Sequence, residues 1–270
     1  ISHNHIHDLN YSAISAGWNW GYGPNQSHHN RIEYNHLHHI GREMLSDMGA
    51  IYTLGIQPGT VIRNNLIHDV TRFAYGGWGI YFDEGSNQIV AENNVVYRTA
   101  SAGFHQHYGR ENVVRNNIFA FGKEYQLTLS RPEDHLSFTF ERNIVYWDEG
   151  VLWGGSNWSG KTRMPECAEC SEKHPKTDCK HAHLDNNIYY DARDGLAGFF
   201  GLSLSEWQNL GYDAHSLTAD PLFINLTNYD FSLQPDSPAL KRGFQPIDLS
   251  TVGPRPDRLK DLRNERATIH

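Results

Sequence analysis

Apolar and polar positions alternate in short runs that keep returning to one frame, apolar-x-x-Asn-x-apolar. Seven segments share it: Ile1 to Ile6, Ile32 to Leu37, Ile62 to Ile67, Ala91 to Val96, Val114 to Phe119, Phe140 to Val145 and Leu184 to Tyr189. The shared asparagines, Asn4, Asn35, Asn65, Asn94, Asn117, Asn143 and Asn187, are separated by 31, 30, 29, 23, 26 and 44 residues. Self-similarity at a period of roughly 20–50 residues marks a solenoid, propeller or array. No run carries apolar residues three and four apart over ten or more positions, the mark of a helical repeat. The alternation is that of strands. Asparagine tolerates left-handed backbone angles and bonds its own local backbone, so it suits the bend between two of them. Its amide can also bond the same amide one coil above, across the ~4.8 Å between paired strands. The pattern predicts an all-β parallel β-helix in which each coil adds one strand to each sheet.

A second repeated run sharpens the frame. Gly49 to Thr53, Gly79 to Asp83 and Gly103 to His107 align without gaps, and Ala13 to Gly17, Tyr125 to Leu129 and Gly150 to Gly154 continue the series. Strand side chains alternate between faces. Ile14, Ala50, Ile80, Phe104 and Val151 then form an inward column, with Tyr52 and Phe82 sharing that parity. Gln126 falls in the same column and needs a partner there. The opposite parity places Ile51 with Thr53, Tyr81 with Asp83, and His105 with His107 on an outward stripe.

The whole chain, 1–270, reads as a single β-helix domain, with about five coils in residues 1–153. A long excursion at 154–183 accounts for the 44-residue spacing. Residues 204–270 form a closing segment. It begins with a short helix from Leu204 to Leu210 that Gly211 stops, continues with closing strands between Leu217 and Leu240, and ends in a charged tail from Pro254. The chain opens in mid-repeat, with no initiator Met and no polar cap before Ile1. Solenoids need capped ends, so the expectation is the C-terminal portion of a longer protein, with earlier coils and any export signal in the remainder.

Composition narrows the partners. A net charge of −8 argues against nucleic acid or an anionic polysaccharide as a tightly bound partner. Seven Trp and fourteen Tyr suit a carbohydrate-facing surface, although many such rings simply fill a β-core. No apolar run is long enough for a membrane span.

The outward stripe carries the densest chemistry. Asp83 takes the same frame position as Thr53 below and His107 above, and Tyr81 and His105 neighbour each other two residues earlier. Asp47, just before Gly49, shares the outward parity in the coil below. Paired carboxyls on one groove are the basic requirement of glycosidase chemistry, one protonating the leaving oxygen and the other attacking or activating water. Asp47 lies six residues from the position aligned with Asp83, so the pair forms only if Asp47 sits on a bend folding back toward it. Glu84 is the local substitute, with inward parity unless the strand has turned. The alternative is that Asp47 caps a turn and Asp83 ends a strand.

Histidine is the second anomaly. Seventeen occur, and His7, His38 and His68 share one position three residues after the ladder asparagine. Stacked imidazoles can bind metal, but a structural role is favoured: His7 and His68 each precede an Asp, a pairing that stiffens a strand corner. The excursion holds Cys167, Cys170, Cys179 and His181 in a C-x2-C-x8-C-x-H spacing, enough for a closed tetrahedral zinc site of purely structural role. One disulfide and one free Cys is the competing reading. No cofactor is expected for catalysis. Asn25, Asn157 and Asn225 begin N-x-S/T triplets, which arise often by chance.

Asp47-Met-Gly-Ala-Ile-Tyr52, the run Val61 to Asp69, and Gly79-Ile-Tyr-Phe-Asp-Glu-Gly85 resemble the right-handed parallel β-helix enzymes of glycoside hydrolase family 141. The stretch from Trp207 through Asp220-Pro-Leu-Phe223 resembles their closing segment. The resemblance covers most of residues 30–125 and 200–245 and implies a right-handed coil. It also implies a secreted or periplasmic enzyme acting on plant or algal polysaccharide, and an acidic catalytic pair, carried by motif onto Asp47 and Asp83. Tyr81, His105, His107, Trp78 and Glu84 would then position the sugar. The Cys-rich excursion departs from the family pattern. Two alternatives remain: a polysaccharide lyase or epimerase on the same fold, and a non-catalytic carbohydrate-binding β-helix. A lyase needs a cation beside the uronate, and Arg98 is the only Lys or Arg between Ile80 and Tyr108.

Overall fold

The computed structural model describes residues 1–131, 133, 135–155 and 182–255. Three parallel sheets of six, eight and six strands stack into a β-helix. Five full rungs take one strand from each sheet; the first of these contributes Arg31–Glu33, His36–Ile40 and Gly49–Thr53, and the fifth Phe138–Glu141, Ile144–Trp147 and Val151–Gly154. The excursion is bounded more tightly than 154–183, because Ala182–Asp185 is already a strand paired with Phe138–Glu141. Cys167, Cys170, Cys179 and His181 lie outside the described residues.

The asparagines turn the chain between the first and second sheets. Each of Asn35, Asn65, Asn94, Asn117, Asn143 and Asn187 is fully buried. Asn65 Oδ1 accepts both the backbone N–H of Asn35 (3.0 Å) and its Nδ2 (3.0 Å), while Asn65 Nδ2 donates to Ile32 O (2.9 Å) and to Asn94 Oδ1 (2.9 Å). The same exchange recurs at every rung, so no amide group in this dry turn is left unpaired. Ser216 and Asp213 end the ladder by bonding Asn187.

Inside, three columns meet: Ile32, Ile62, Ala91, Val114, Phe140 and Leu184 from the first sheet, and Leu37, Ile67, Val96, Phe119, Val145 and Tyr189 from the second. The third sheet contributes Ile14, Ile51, Ile80, Phe104, Leu127 and Trp153. That column differs from the sequence frame by one residue at two rungs. Ile51, not Ala50, stacks on Ile80, so Tyr52 points out beside Tyr81 and Thr53 turns in beside Phe82. Leu127, not Gln126, stacks on Phe104. Val151 pairs with Tyr125 and is 52% exposed rather than inward. Gln126 is buried and satisfied locally, exchanging bonds with the Gly122 N–H (2.8 Å) and carbonyl (2.7 Å). At the Gly49 rung the cause is one additional residue between the glycine and the first inward isoleucine, which a glycine-anchored alignment absorbs as a shift.

The closing segment does more than end the coil. Leu204–Asn209 is a helix with a capping box between Ser203 and Glu206, and Leu217–Thr218 adds an eighth strand to the second sheet. An antiparallel hairpin of Phe223–Asn225 and Asp230–Leu233 follows, then an unanticipated short helix, Pro238–Lys241. This strap lies along the outer face of the second sheet. Phe223, Phe231 and Phe244 cover an outward apolar column of Leu66, Val95, Ile118, Ile144 and Ile188. No helix among the described residues is long and apolar enough to cross a membrane.

Candidate active site

On the outer face of the third sheet lies a cleft of about 940 Å³. Asp47, Trp78, Tyr81, Asp83, Glu84, His105 and His107 all line it. Tyr52, which the repeat placed inward, lines it too, as do Tyr75 and Trp20, which the repeat did not single out.

Asp83 follows the strand Trp78–Phe82, where the chain leaves the sheet, and its N–H bonds Thr53 O (3.0 Å). Gly85 turns the chain directly afterwards at φ 76°; a Cβ there would sit 2.2 Å from Gly21 O, because the 17–30 loop crosses over this corner. Asp83 is buried, and its Oδ2 accepts the Tyr52 hydroxyl at 2.5 Å. Tyr52 and Tyr81 stack at 4.5 Å on neighbouring rungs. His107 is the neighbour above Asp83, as the frame predicts; Thr53 is not the neighbour below, since it pairs with Phe82 and bonds Ser86 in the interior.

Asp47 sits on the bend between the second- and third-sheet strands, in the left-handed region at φ 54°, with its N–H on Tyr75 O (3.0 Å). The Tyr81 hydroxyl donates to Asp47 Oδ1 (3.2 Å), as the Tyr52 hydroxyl does to Asp83, and these two rings are the stacked pair. The bend therefore brings Asp47 to the same pair of rings as Asp83, and both charges push the Tyr81 phenol up. Tyr75 lines the cleft beside Asp47, and the Tyr11 hydroxyl donates to the Asp47 backbone carbonyl (2.9 Å).

Burial raises the Asp47 pKa, and the nearby Asp83 charge raises it further; the Tyr81 and Tyr75 hydroxyls oppose this. Burial, then the Asp83 hydrogen bond, drives the Tyr52 phenol far up; for Tyr81 burial acts first, then the charges of Asp83 and Asp47. Both phenols stay protonated donors. Because the folded Asp47 holds its proton more tightly than the unfolded chain does, its contribution to stability is intact below the ordinary value of 3.8 and is lost as pH rises through the folded value. Asp47→Asn is therefore expected to raise the melting temperature at pH 7 and to leave it nearly unchanged near pH 3. An equal shift at both pH values would contradict the raised carboxyl.

The floor is aromatic. Trp78, 9% exposed, lies between Tyr81 (4.4 Å) and His105 (4.2 Å, nearly parallel), and among the described residues its indole N–H has no partner. His105 is buried, with Nδ1 on Thr128 Oγ1 (2.7 Å) and near Thr128 O (3.3 Å). Burial, then His107, pushes its pKa down to about 3, so it stays a neutral imidazole. His107 bonds Ser130 through Nδ1 (2.7 Å) and faces Glu84 through Nε2 (3.7 Å). Glu84 has turned out of the coil, contrary to its strand parity, and also meets Tyr108 (3.2 Å) and Arg131 (3.4 Å). At the rim, Trp20 and Tyr75 are both about half exposed, an arrangement in which rings can pack on the C–H faces of a sugar. Arg72 also lines the cleft, in an ion pair with Glu124.

No curated protein and no solved structure matches the chain. The model of the right-handed β-helix region family matches residues 1–161, which hold the ladder from Asn4 to Asn143, the cleft and all five full rungs. With parallel sheets in continuous register over that span, the chain belongs to the right-handed β-helix region family.

Proposed function

We propose that this protein is a glycoside hydrolase acting on a poly- or oligosaccharide, with Asp47 and Asp83 as its catalytic pair. The observation that carries the reading is the stacked Tyr52–Tyr81 pair, each phenol donating to one of the two carboxyls in an aromatic-floored cleft. The two environments differ in the sense such chemistry needs. Asp47, with its raised pKa, is the general acid that protonates the leaving oxygen. Asp83 has its oxygens arranged as acceptors around the Tyr52 hydroxyl and is the nucleophile or the base that activates water. Trp78, Trp20 and Tyr75 supply ring faces, and the neutral His105 with His107 and Glu84 supply hydrogen bonds that orient sugar hydroxyls. β-Helix domains of this family occur in polysaccharide-acting enzymes and binders, and the resemblance to family 141 favours plant or algal material.

One observation favours elimination instead. Arg72 places in the cleft the cation that a uronate carboxylate would need, although Glu124 already neutralises it. Digestion of a panel of neutral and acidic polysaccharides separates the readings. Hydrolysis releases reducing ends with no gain in absorbance near about 235 nm, whereas elimination leaves an unsaturated uronate that absorbs there. Retention of a polysaccharide without any cleavage would make the cleft a binding site and sink the enzymatic reading.

A further inference from the structure

On the second sheet, the two outward columns change character at their first rungs. One runs His5, His36, Leu66, Val95, Ile118 and the other His7, His38, His68, Tyr97, Ala120. The strap covers the apolar part and reaches the histidines: Gly253 packs near His36 Cβ, and Thr251 O faces His3 Nδ1 at 2.9 Å. Beyond it, imidazoles stack along each column and meet between columns. His5 lies on His36 at 4.8 Å, His7 on His38 and His38 on His68 at 5.0 Å, all nearly parallel. Between columns, His5 Nε2 is 2.6 Å from His38 Nε2, and His36 Nε2 is 2.8 Å from His68 Nε2.

We propose that His5, His36 and His38 form a binding site for an imidazole-preferring divalent transition ion, with Zn²⁺ as the natural probe. One nitrogen from each of the three lies within 4.8 Å of the others. Tetrahedral zinc sets nitrogen donors about 3.4 Å apart, given bonds of roughly 2.0–2.1 Å, so small ring rotations open the closest pair. The surroundings orient the rings as those of metal sites do. His38 Nδ1 is engaged by His39 Nδ1 (2.6 Å) and His68 Nδ1 by Asp69 (2.7 Å), which leaves the Nε2 atoms facing inward. Three imidazoles without a thiolate select zinc, copper or nickel over magnesium or calcium. The set leaves a fourth position for water or for His68.

The site stands apart from the third-sheet cleft, and its test is independent of catalysis. Zn²⁺ is titrated calorimetrically into the full chain with its thiols alkylated, so that Cys167, Cys170 and Cys179 take no part. The expected result is one ion per chain with a micromolar or tighter dissociation constant, weakened at least tenfold in both His5→Ala and His38→Ala. His5 is an exposed residue of the edge strand His5–Leu9, before the first full rung, so its replacement keeps the fold should His38→Ala not. Magnesium or calcium competing as well as nickel would overturn the assignment. So would no uptake, or uptake that His5→Ala leaves unchanged.

Discussion

Asp83→Asn is expected to lower kcat/KM by about 10³–10⁴-fold while the folded state survives, the range lost when a positioned acid–base or nucleophilic carboxyl is removed. The substitution keeps shape and one acceptor oxygen, so the Tyr52 hydroxyl keeps its 2.5 Å partner and the Tyr52–Tyr81 stack stays in place. What it removes is the negative charge. That charge is the nucleophile or the base, and it also helps keep Asp47 protonated through their mutual repulsion. The alkaline limb of any residual activity should therefore move to lower pH in the variant, because Asp47 loses one of the two causes of its raised pKa. A melting temperature close to wild type, combined with the kinetic loss, separates chemistry from misfolding. Wild-type kcat/KM in Asp83→Asn would refute the assignment of this carboxyl outright.

The architecture is legible in the sequence where one physical demand repeats at every rung. A buried amide at a turn must meet another like it, so Asn35, Asn65, Asn94, Asn117, Asn143 and Asn187 stand out against any background. The third sheet is harder to read. Several of its strands have a glycine at or beside their start, which marks a close approach and not a register position: a Cβ on Gly49 would lie 2.7 Å from Tyr81 Cβ, and one on Gly79 2.2 Å from Val96. Aligning the Ile-Tyr pairs, Ile51-Tyr52 with Ile80-Tyr81, gives the observed register and brings Tyr52 into the site. Trp20 and Tyr75 sit on loops, where no periodicity exists to place them. Asp47 stands between these cases. Its motif marks it, but only the left-handed bend and the stacked Tyr52–Tyr81 pair join it to Asp83. The second histidine column, His5 and His36, lies one residue after the ladder asparagine. The repeat conceals it, because the same position is apolar from Leu66 onward.

The ladder itself makes the largest prediction for stability. Asn94→Ala should cost about 3–5 kcal/mol in chemical denaturation. Truncation orphans the buried Asn65 N–H, one Nδ2 hydrogen of Asn65 and the Ile62 carbonyl, and each stranded group costs about 1–3 kcal/mol. The loss falls in mid-stack, with rungs on both sides, so no end fraying can relieve it. Asn4→Ala tests the same chemistry at the edge. Asn4 donates to Asn35 Oδ1, but among the described residues nothing donates to its own side-chain oxygen, so the cost should stay under about 1 kcal/mol. Asn94→Asp separates hydrogen bonding from packing. The carboxylate still accepts from Asn65 but cannot donate to Ile62 O or Asn117 Oδ1, and it buries a charge. Its folded pKa must therefore lie above the unfolded one, so the variant should be most stable at low pH and weaken as pH rises through the folded value. Equal costs at Asn94 and Asn4, or an Asn94→Asp variant indifferent to pH, would mean that the asparagines only mark the turn and that the apolar columns alone hold the rungs together.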